Sequence, residues 1–291
     1  MMIGWGARHP RNDGFVFDML PEEREQQFER HWQLGGLLFI GAFGDLVVDE
    51  EANEQACEFV RRKIRAVVND PAVAERLSPD SKIFCKRLCA DTHYFETYNR
   101  DNVQLVDVKA DPIVEITETG LRTKQEDYSL DCLVYATGFD AMTGALERID
   151  IRGRSGQTLK QKWAEGPRTY LGLETSGFPN LFTITGPGSP SVLTNMLPSI
   201  EQHVDFISDC IAYMRQRQLR VIEASPEAEK EWSAHVNEVA DMTLYPSCNS
   251  WYLGANVPGK PRVFLPLLGF PEYVAKCEEV AARDYEGFLL S

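Results

Sequence analysis

The 291-residue sequence predicts a globular α/β protein, and two stretches carry this prediction. Residues 178–217 begin with a short β-rich run, continue through a glycine-proline turn and end in a region with apolar residues every three or four positions, which is the period of a helix. Residues 131–139 form an apolar run that ends in Thr137-Gly138, as a buried strand does where it enters a turn. With 43% apolar residues, the chain can bury a sizeable core.

The N-terminal part is predicted to be helical after an arm of about 20 residues without clear periodicity. Pro21 and two following acidic residues open a helix that Gly35-Gly36 closes. A second helix extends from about residue 49 to residue 69, where Asp70-Pro71 ends it. Since no strand separates these helices, the sequence predicts a small helical subdomain.

Strand-like patterns follow from residue 103 onward. Residues 103–106 and 113–116 are rich in β-branched residues, and Glu118-Thr119-Gly120 is a plausible hairpin turn before residues 121–123. The run 131–139 is the next predicted strand. Short strands with Gly- and Pro-rich loops are expected between that run and residue 178.

Three helices are predicted in the C-terminal half. The first has Pro198 in its first turn, the second has Ser225 as N-cap with Pro226 after it, and the third extends from about residue 272 to residue 282. The buried face predicted for the first consists of Ile200, Val204, Ile207, Ile211 and Met214. The face predicted for the second includes Trp232, Val236 and Ala240.

Two segments have the composition of ligand-binding loops. The turn at residues 186–190 precedes a helix N-terminus, where free N–H groups and the helix dipole favour an anion or a carbonyl edge. Residues 250–262 combine aromatic rings, glycines and two cations, which suits stacking on a ring and contact with a phosphate. Each segment has a plainer interpretation: an ordinary connection for the turn, and a solvated surface loop for residues 250–262. Composition alone favours the plainer interpretations.

The overall composition argues against several classes of partner. A formal net charge of −14 is unfavourable for nucleic acid or an anionic membrane, and no apolar run approaches the ~20 residues of a membrane span. The seven cysteines are scattered and odd in number, which predicts reduced thiols in a cytoplasmic protein. Neither cysteines nor histidines have the spacing of a metal site. The sequence also lacks a G-x-G-x-x-G fingerprint, a Walker loop, G-x-S-x-G and H-E-x-x-H.

Four long segments, taken together, resemble the flavin-dependent Baeyer-Villiger monooxygenases. They are CKRLCADTHYFETYNRDNVQLVDVKADPIVEIT (85–117), DCLVYATGFDAMTGALERIDIRG (131–153), GPRTYLGLETSGFPNLFTITGPGSPSVLTNMLPSIEQH (166–203) and LYPSCNSWYLGANVPGKPRVF (244–264). The resemblance extends from about residue 22 to the end and corresponds to the C-terminal portion of the family's chain. The family's two glycine fingerprints and its F-x-G-x-x-x-H-x-x-x-W signature lie upstream of that portion.

The resemblance implies a partial flavoprotein fold with two dinucleotide-binding domains and a helical insertion. Residues 1–84 would be an N-terminal arm and the helical subdomain, 85–140 the closing part of the NADP-binding domain, and 141–291 the closing part of the FAD-binding domain. It also implies FAD- and NADPH-dependent oxygenation of ketones by O₂ to esters or lactones, through a C4a-peroxide of the flavin. The protein would supply binding, orientation and charge for chemistry that belongs to the flavin.

The same resemblance implies roles for individual residues. Arg87 matches the catalytic arginine that stabilises the peroxide anion, a role that suits a permanently charged planar donor. The cofactor-binding positions are Lys86, which would contact the 2′-phosphate of NADP, together with Thr137, Gly138, Asn195, Met196 and Trp251. The ketone-binding positions are Leu88, Ser191, Val192 and Leu193. Taken alone, Arg87 could be a surface cation, and Thr137-Gly138 could be a hinge between domains.

Two functions therefore remain open at the level of sequence. The chain is either a Baeyer-Villiger monooxygenase that lacks an N-terminal half, or a non-catalytic remnant or interaction protein that binds no flavin. We expect the isolated chain to bind FAD weakly or not at all, because half of each dinucleotide fold is absent. Uncovered sheet edges and apolar faces predict self-association.

Overall fold

The computed structural model describes residues 12–190, 194–260, 263 and 269–291. The helices lie mostly at the two ends of the chain, and the strands are short. The helices are α1 (Pro21–Leu34), α2 (Glu50–Val67), α3 (Pro71–Leu77), α4 (Tyr94–Thr97), α5 (Gly144–Glu147), α6 (Leu159–Lys162), α7 (Met196–Gln216), α8 (Pro226–Asp241) and α9 (Phe270–Ala282).

Two small antiparallel sheets are present in the described part of the chain. The first has the strand order β1 (Ile113–Thr117), β2 (Gly120–Thr123) and β3 (Asp127–Ser129), and Thr117 pairs with Gly120 across the first hairpin. The second pairs β4 (Ile222–Ala224) with β5 (Phe288–Leu290). The β1–β2 hairpin confirms the turn predicted at residues 118–120, whereas β3, β4 and β5 were not predicted.

The N-terminal helices α1 and α2 lie where the sequence predicts helices, and they share an aromatic core. α1 begins at Pro21, and the side chain of Asp49 caps α2 by accepting the Ala52 N–H at 2.7 Å. The rings of Phe28, Phe39 and Phe59 lie with their centroids 5.5–5.7 Å apart. Such contacts add to the burial of large apolar areas. Asp70-Pro71 ends α2, but it also begins the short α3, because Asp70 caps the next turn.

A larger core joins α7, α8 and α9 to β4, β5 and the segment around residue 171. Ser225 caps α8 by accepting the Ala228 N–H at 3.1 Å, and Trp232, Val236 and Ala240 are buried as predicted. The Trp232 indole N–H donates to the Gly188 carbonyl at 3.0 Å, which fixes the glycine-proline turn against α8. This core therefore supports the turn that precedes α7.

The buried face predicted for α7 is wrong for two of its five members, Val204 and Ile211, whereas Ile200 and Ile207 are half-buried and Met214 is buried. The buried residues are Ser199, His203, Phe206, Cys210 and Met214, whereas Val204 and Ile211 keep 43% and 39% of their area exposed. Both sets have helical spacing, so apolar periodicity alone selected the more apolar stripe. Hydrogen bonds of the His203 ring make its burial possible, and this is a contribution that periodicity does not include.

Three predicted strands do not form a ladder among the described residues. Residues 103–106 and 131–139 have no strand assignment, and residues 181–184, after the turn at Phe178–Leu181, have none either. Val134, Tyr135 and Phe139 are 79%, 68% and 94% exposed, so residues 131–139 are not a buried strand in this chain. An apolar β-rich run becomes a strand only where a neighbouring strand accepts its hydrogen bonds.

The prediction that all seven cysteines are reduced is also wrong for two of them. Cys85 and Cys248 form a disulfide with a Cα–Cα distance of 5.5 Å. Spacing along the chain could not indicate this pair, because 163 positions separate the two residues. The remaining cysteines are free thiols. Within the described ranges there is no cluster of three metal-ligating side chains, and no helix has the length and apolarity to cross a bilayer.

Candidate functional site

The loop at residues 250–260 contacts two of the other segments that were singled out from the sequence. Ser250 starts a 3₁₀ turn over Trp251–Leu253 by accepting the Tyr252 N–H at 3.0 Å. Gly254 ends this turn with φ of +75°, a left-handed conformation that favours glycine. The Trp251 ring is half-buried and lies 4.4 Å from the buried Tyr252 ring. The loop therefore has one buried aromatic ring, that of Tyr252, and one partly exposed indole, that of Trp251.

One end of this loop region is joined to the segment that carries Lys86 and Arg87. The disulfide connects Cys85 to Cys248, and the Lys82 ammonium donates to the Ser247 hydroxyl at 2.9 Å. The Arg87 charge lies near enough to Tyr252 to oppose the rise that burial causes in the pKa of that phenol. Lys86 and Arg87 are therefore adjacent to the Trp251 turn, although they precede it by more than 160 positions.

The other end of the loop contacts the segment that follows Thr137-Gly138. The Asn256 amide donates to the Phe139 carbonyl at 3.3 Å, and the Lys260 ammonium contacts the Asp140 carboxylate and the Ala141 carbonyl. Thr137 and Gly138 are exposed, and Gly138 has φ of +77°. Lys260, which the sequence suggested for a phosphate, is thus engaged by a carboxylate, so its charge is already compensated.

Among the described residues of this site, Lys86 and Arg87 are the cations without a carboxylate partner. Both are exposed, and no carboxylate of the described residues lies within ion-pair distance of either. Together with Leu88 they line a cavity of about 290 Å³ against the helical unit. Two adjacent cations without a paired carboxylate, in a chain of net charge −14, make a local positive potential that attracts anions.

The N-terminus of α7 has the features of a polar ligand site. Asn195 caps the helix by accepting the Leu197 N–H at 3.1 Å, and Met196 is half-buried at its first position. The hydroxyls of Thr194 and Ser199 are buried and have no hydrogen-bond partner among the described residues. A buried hydroxyl without a partner is unfavourable, so each of these groups favours a partner outside the described residues.

The glycine-proline turn that precedes α7 is linked by hydrogen bonds to a buried pair of side chains. The Thr185 N–H donates to His203 Nδ1 at 2.8 Å, and His203 Nε2 lies 2.9 Å from the Tyr273 hydroxyl. That hydroxyl donates to the Leu171 carbonyl at 2.7 Å. Since a backbone N–H can only donate, Nδ1 is the acceptor and Nε2 carries the proton. His203 is therefore neutral, and burial lowers its pKa to about 4.

The clamp formed by His203 and Tyr273 also supports two strained backbone positions. Thr185 and Leu171 have φ of +53° and +56°, which is unfavourable for residues with a side chain. They precede Gly186 and Gly172, where the two turns approach so closely that a Cβ on Gly186 would lie 2.4 Å from the Gly172 carbonyl oxygen. The clamp therefore fixes the shape of the turn that leads into α7.

The structure brings together some of the residues that sequence resemblance singled out. Lys86, Arg87 and Trp251 lie in one region, and the loop that carries Trp251 also reaches the segment after Thr137-Gly138. Asn195 and Met196 lie at the start of α7, which belongs to the same large core as Tyr252. Ser191, Val192 and Leu193 lie outside the described residues.

Sequence reasoning missed several residues that shape the site. Cys85, Cys248 and Tyr252 join its segments, and His203 with Tyr273 supports its turn. The one available signal was position: each cysteine lies within three residues of a residue already singled out by resemblance. The clamp had no signal, because a histidine on a helix is ordinary without knowledge of its neighbours.

Comparison with known proteins shows similarity over nearly the whole chain. The chain is 44% identical over 271 residues to cyclohexanone 1,2-monooxygenase of Acinetobacter sp., an alignment that covers 92% of this chain and 49% of the relative. It is 42% identical over 273 residues to a Baeyer-Villiger monooxygenase of Pseudooceanicola batsensis, covering 92% and 50%. No protein-family model matches the chain.

Solved structures show the same relationship. The closed crystal structure of cyclohexanone monooxygenase superposes with a TM-score of 0.96 at 41% identity, covering 100% of this chain and 55% of that one. The structure of OTEMO in complex with FAD and NADP superposes with a TM-score of 0.94 at 39% identity, covering 99% and 54%. The fold is thus the α/β fold of about half of such an enzyme. This chain is therefore a relative of the flavin-dependent Baeyer-Villiger monooxygenases that spans about half the length of the relatives it matches.

Proposed function

We propose that this chain supplies one half of a Baeyer-Villiger monooxygenase that uses FAD and NADPH to oxidise ketones to esters or lactones. The observation that carries the proposal is the junction made by loop 250–260. The disulfide joins Cys248, just before that loop, to Cys85, Arg87 lies near Tyr252 of the loop, and the far end of the loop contacts residues 139–141. Three separate stretches that match the family's cofactor-contacting motifs therefore meet through one loop.

The proposed roles of the cations follow from their charge and geometry. Arg87 is the proposed catalytic residue, because an exposed guanidinium without a carboxylate partner can hold negative charge that develops near it. Lys86, the adjacent point charge, would bind the 2′-phosphate of NADP. The half-buried Trp251 ring would contact the nicotinamide-ribose part of that cofactor, with its N–H as a donor.

The proposed flavin contacts lie at α7 and at the Thr137-Gly138 turn. Asn195 and Met196 would bring the backbone to the isoalloxazine ring, and the buried hydroxyls of Thr194 and Ser199 fit a ligand rich in hydrogen-bonding edges. FAD and NADPH supply the redox and oxygen-activating chemistry when bound. The chain's own contribution is to orient both cofactors and to hold charge beside the reacting ketone.

The remaining assignments rest on the resemblance and are proposed with it. Leu88, which is half-buried beside Arg87, would line the ketone pocket together with Ser191, Val192 and Leu193. Residues 85–140 would belong to the NADP-binding domain and residues 141–291 to the FAD-binding domain. Residues 1–84 would form the helical insertion with its arm.

A second candidate function is that of an interaction protein that binds no flavin. The apolar run 131–139 favours it, because Val134 and Phe139 are 79% and 94% exposed and form no ladder. Contiguous exposed apolar surface of this kind marks a binding site for another polypeptide. The two candidates differ in what binds: a flavin with a complementary half in the first, and a protein alone in the second.

The test combines this chain with the half of cyclohexanone monooxygenase that it does not match. The visible spectrum of the mixture after gel filtration should show retained FAD, and the mixture should oxidise NADPH only when ketone is present. Arg87→Ala should lower that rate by roughly 100-fold or more, the size of effect found when one charge-stabilising donor is removed. Arg152→Ala is the matched control. Arg152 is exposed, its carboxylate partner is the nearby Asp150, and it belongs neither to loop 250–260 nor to the segment that carries Arg87.

Each outcome selects one of the two candidates. Flavin retention and ketone-dependent oxidation, both reduced by the Arg87 change and not by the Arg152 change, support the monooxygenase half. Formation of a complex without flavin or activity supports the interaction protein and rejects the enzyme. Equal loss of rate in both arginine variants would remove Arg87 from its catalytic role.

A further inference from the structure

The disulfide Cys85–Cys248 joins two segments of the proposed site to each other. Cys85 immediately precedes Lys86 and Arg87, and Cys248 lies three residues before Trp251. The two cysteines are 163 positions apart in sequence, so the bond closes a very long loop. A covalent link at this place affects the position of the cations relative to the aromatic turn more than any bond elsewhere in the described chain.

Burial of Cys85 in the same core as Tyr252 also limits the position of Arg87, but the backbone around Arg87 is irregular. Residues 83–92 form neither helix nor strand, so no regular backbone ladder holds Lys86 and Arg87. A polar contact across the junction is the hydrogen bond from Lys82 to Ser247, and Lys82 is at the same time paired with Glu50 at 2.9 Å. Exposed polar contacts of this kind are weak and exchange with water. The disulfide is therefore the strongest local constraint on the distance between Arg87 and the loop.

The reduced state is also compatible with the surrounding structure. The Cys248 sulfur lies 3.4 Å from the Leu244 carbonyl, which can accept a hydrogen bond from the thiol. Cys85 is followed at four positions by Cys89, an exposed free thiol that could exchange with it. Both cysteines are buried, with 6% and 8% of their area exposed, so thiol exchange at this pair requires local opening of the irregular segment 83–92.

We propose that Cys85 and Cys248 form a reversible disulfide that switches the proposed site: the oxidised pair holds Arg87 against the Trp251 turn, and the reduced pair releases it. The regulatory half of this inference rests on the proposed function, whereas the existence of the reversible bond does not. A peroxide is the oxidant class and a dithiol the reductant class.

The oxidation step balances with hydrogen peroxide. One thiolate attacks a peroxide oxygen, the O–O bond breaks, and a sulfenic acid and hydroxide form. The second thiolate attacks the sulfenic sulfur, the S–O bond breaks, and a second hydroxide leaves as the S–S bond forms. With the two thiol protons, the products are one disulfide and two waters. A dithiol reverses the reaction by exchange through a mixed disulfide and is itself oxidised.

The first test uses the full chain after treatment with hydrogen peroxide or with dithiothreitol. Counting thiols under denaturing conditions should give seven in the reduced chain and five in the oxidised one, and peptide mapping should find residues 85 and 248 cross-linked. Trypsin should cut after Lys86 and Arg87 about tenfold more slowly in the oxidised state, because a tether suppresses local opening of an irregular segment. Cys85→Ser and Cys248→Ser should remove this difference, and Cys132→Ser, an exposed cysteine outside the pair, should keep it.

The second test adds the complementary half of cyclohexanone monooxygenase and compares ketone-dependent NADPH oxidation in the two redox states. A several-fold difference that Cys85→Ser abolishes supports the switch. Absence of activity in both states would count against the proposed function alone, since the thiol count and the cleavage rates still decide the reversible bond. Seven thiols after peroxide, a bridge from Cys85 to Cys89, or equal cleavage in both states would overturn the inference.

Discussion

At the scale of single residues, two buried titratable groups act in opposite directions on stability. Glu174 is fully buried, neither of its carboxylate oxygens accepts a hydrogen bond of normal geometry from a described residue, and burial raises its pKa from 4.5 to about 8. His203 is buried and neutral, and burial lowers its pKa from 6.5 to about 4. Between pH 4.5 and 6.5 the folded state holds one proton more at Glu174 and one fewer at His203 than the unfolded state. Their effects on the pH dependence therefore cancel in this range.

The Glu174 contribution can be isolated with Glu174→Gln. A raised carboxyl pKa gives stability that is complete below pH 4.5 and is lost as pH rises through 8. The variant lacks this loss, so its free energy of unfolding relative to the parent chain should rise by about 1.4 kcal/mol per pH unit between pH 4.5 and 8. Urea unfolding at several pH values measures the slope. A difference that does not change with pH would mean that Glu174 is ionised in the folded chain.

The His203 contribution has the opposite sign. A lowered histidine pKa gives stability that is complete above pH 6.5 and is lost as pH falls toward 4, because protonated Nδ1 would face the Thr185 N–H. His203→Asn removes this loss, so its free energy of unfolding relative to the parent should improve by about 1.4 kcal/mol for each unit that pH falls in that range. A difference that does not change with pH in this range would contradict a buried neutral His203.

At the scale of elements, helix boundaries were predictable because their signals are local. Asp49 and Ser225 cap α2 and α8 through bonds to residues three positions further on, and proline begins α1 and α8. The β1–β2 hairpin was predictable for the same reason. Residues 131–139 were predicted to be a strand but are not, because a ladder needs a neighbour that local pattern does not specify.

The site was predictable only in part, because the residues that join its segments are distant in sequence. Resemblance identified Lys86, Arg87 and Trp251 as separate motifs, and the structure shows what joins them. The joining residues, Cys85 and Cys248, are 163 positions apart and could be paired only in three dimensions. The α7 face was misassigned because Ser199 and His203 are polar, and their burial depends on neighbours from distant segments.

The cap of α7 gives a prediction at this scale. Asn195→Ala should lower the free energy of unfolding by about 1 kcal/mol, since the Leu197 N–H loses its side-chain acceptor. Ser225→Ala at α8 is the matched change and should cost a similar amount. Asn195→Asp keeps an acceptor at the helix N-terminus and should cost little. Chemical denaturation followed by circular dichroism measures all three. A much larger loss for Asn195→Ala than for Ser225→Ala would indicate that Asn195 makes a stabilising contact in addition to the cap.

At the scale of the whole molecule, the net charge and the exposed apolar surface have opposite effects on self-association. The net charge of −14 keeps copies of the chain apart, while the apolar run 131–139 and the outer stripe of α7 favour association. On α7 the exposed members include Leu197 and Val204, at 69% and 43%. Charge repulsion is screened by salt, whereas apolar attraction is not. Self-association of the isolated chain should therefore increase with salt concentration.

The apolar run itself is the element to change. Phe139→Asp combined with Val134→Asp should leave the free energy of unfolding within about 0.5 kcal/mol of the parent value, because both side chains are exposed in the monomer. The same double variant should abolish the salt-dependent self-association in sedimentation experiments. It should also weaken complex formation with the complementary half of a relative, since a charge in a strand that must join a sheet is costly. Val48→Asp is the control, because Val48 is also exposed, at 51%, but lies in the helical unit. If both variants associate as the parent does, the run 131–139 is not the surface that binds, and the outer stripe of α7 becomes the next site to change.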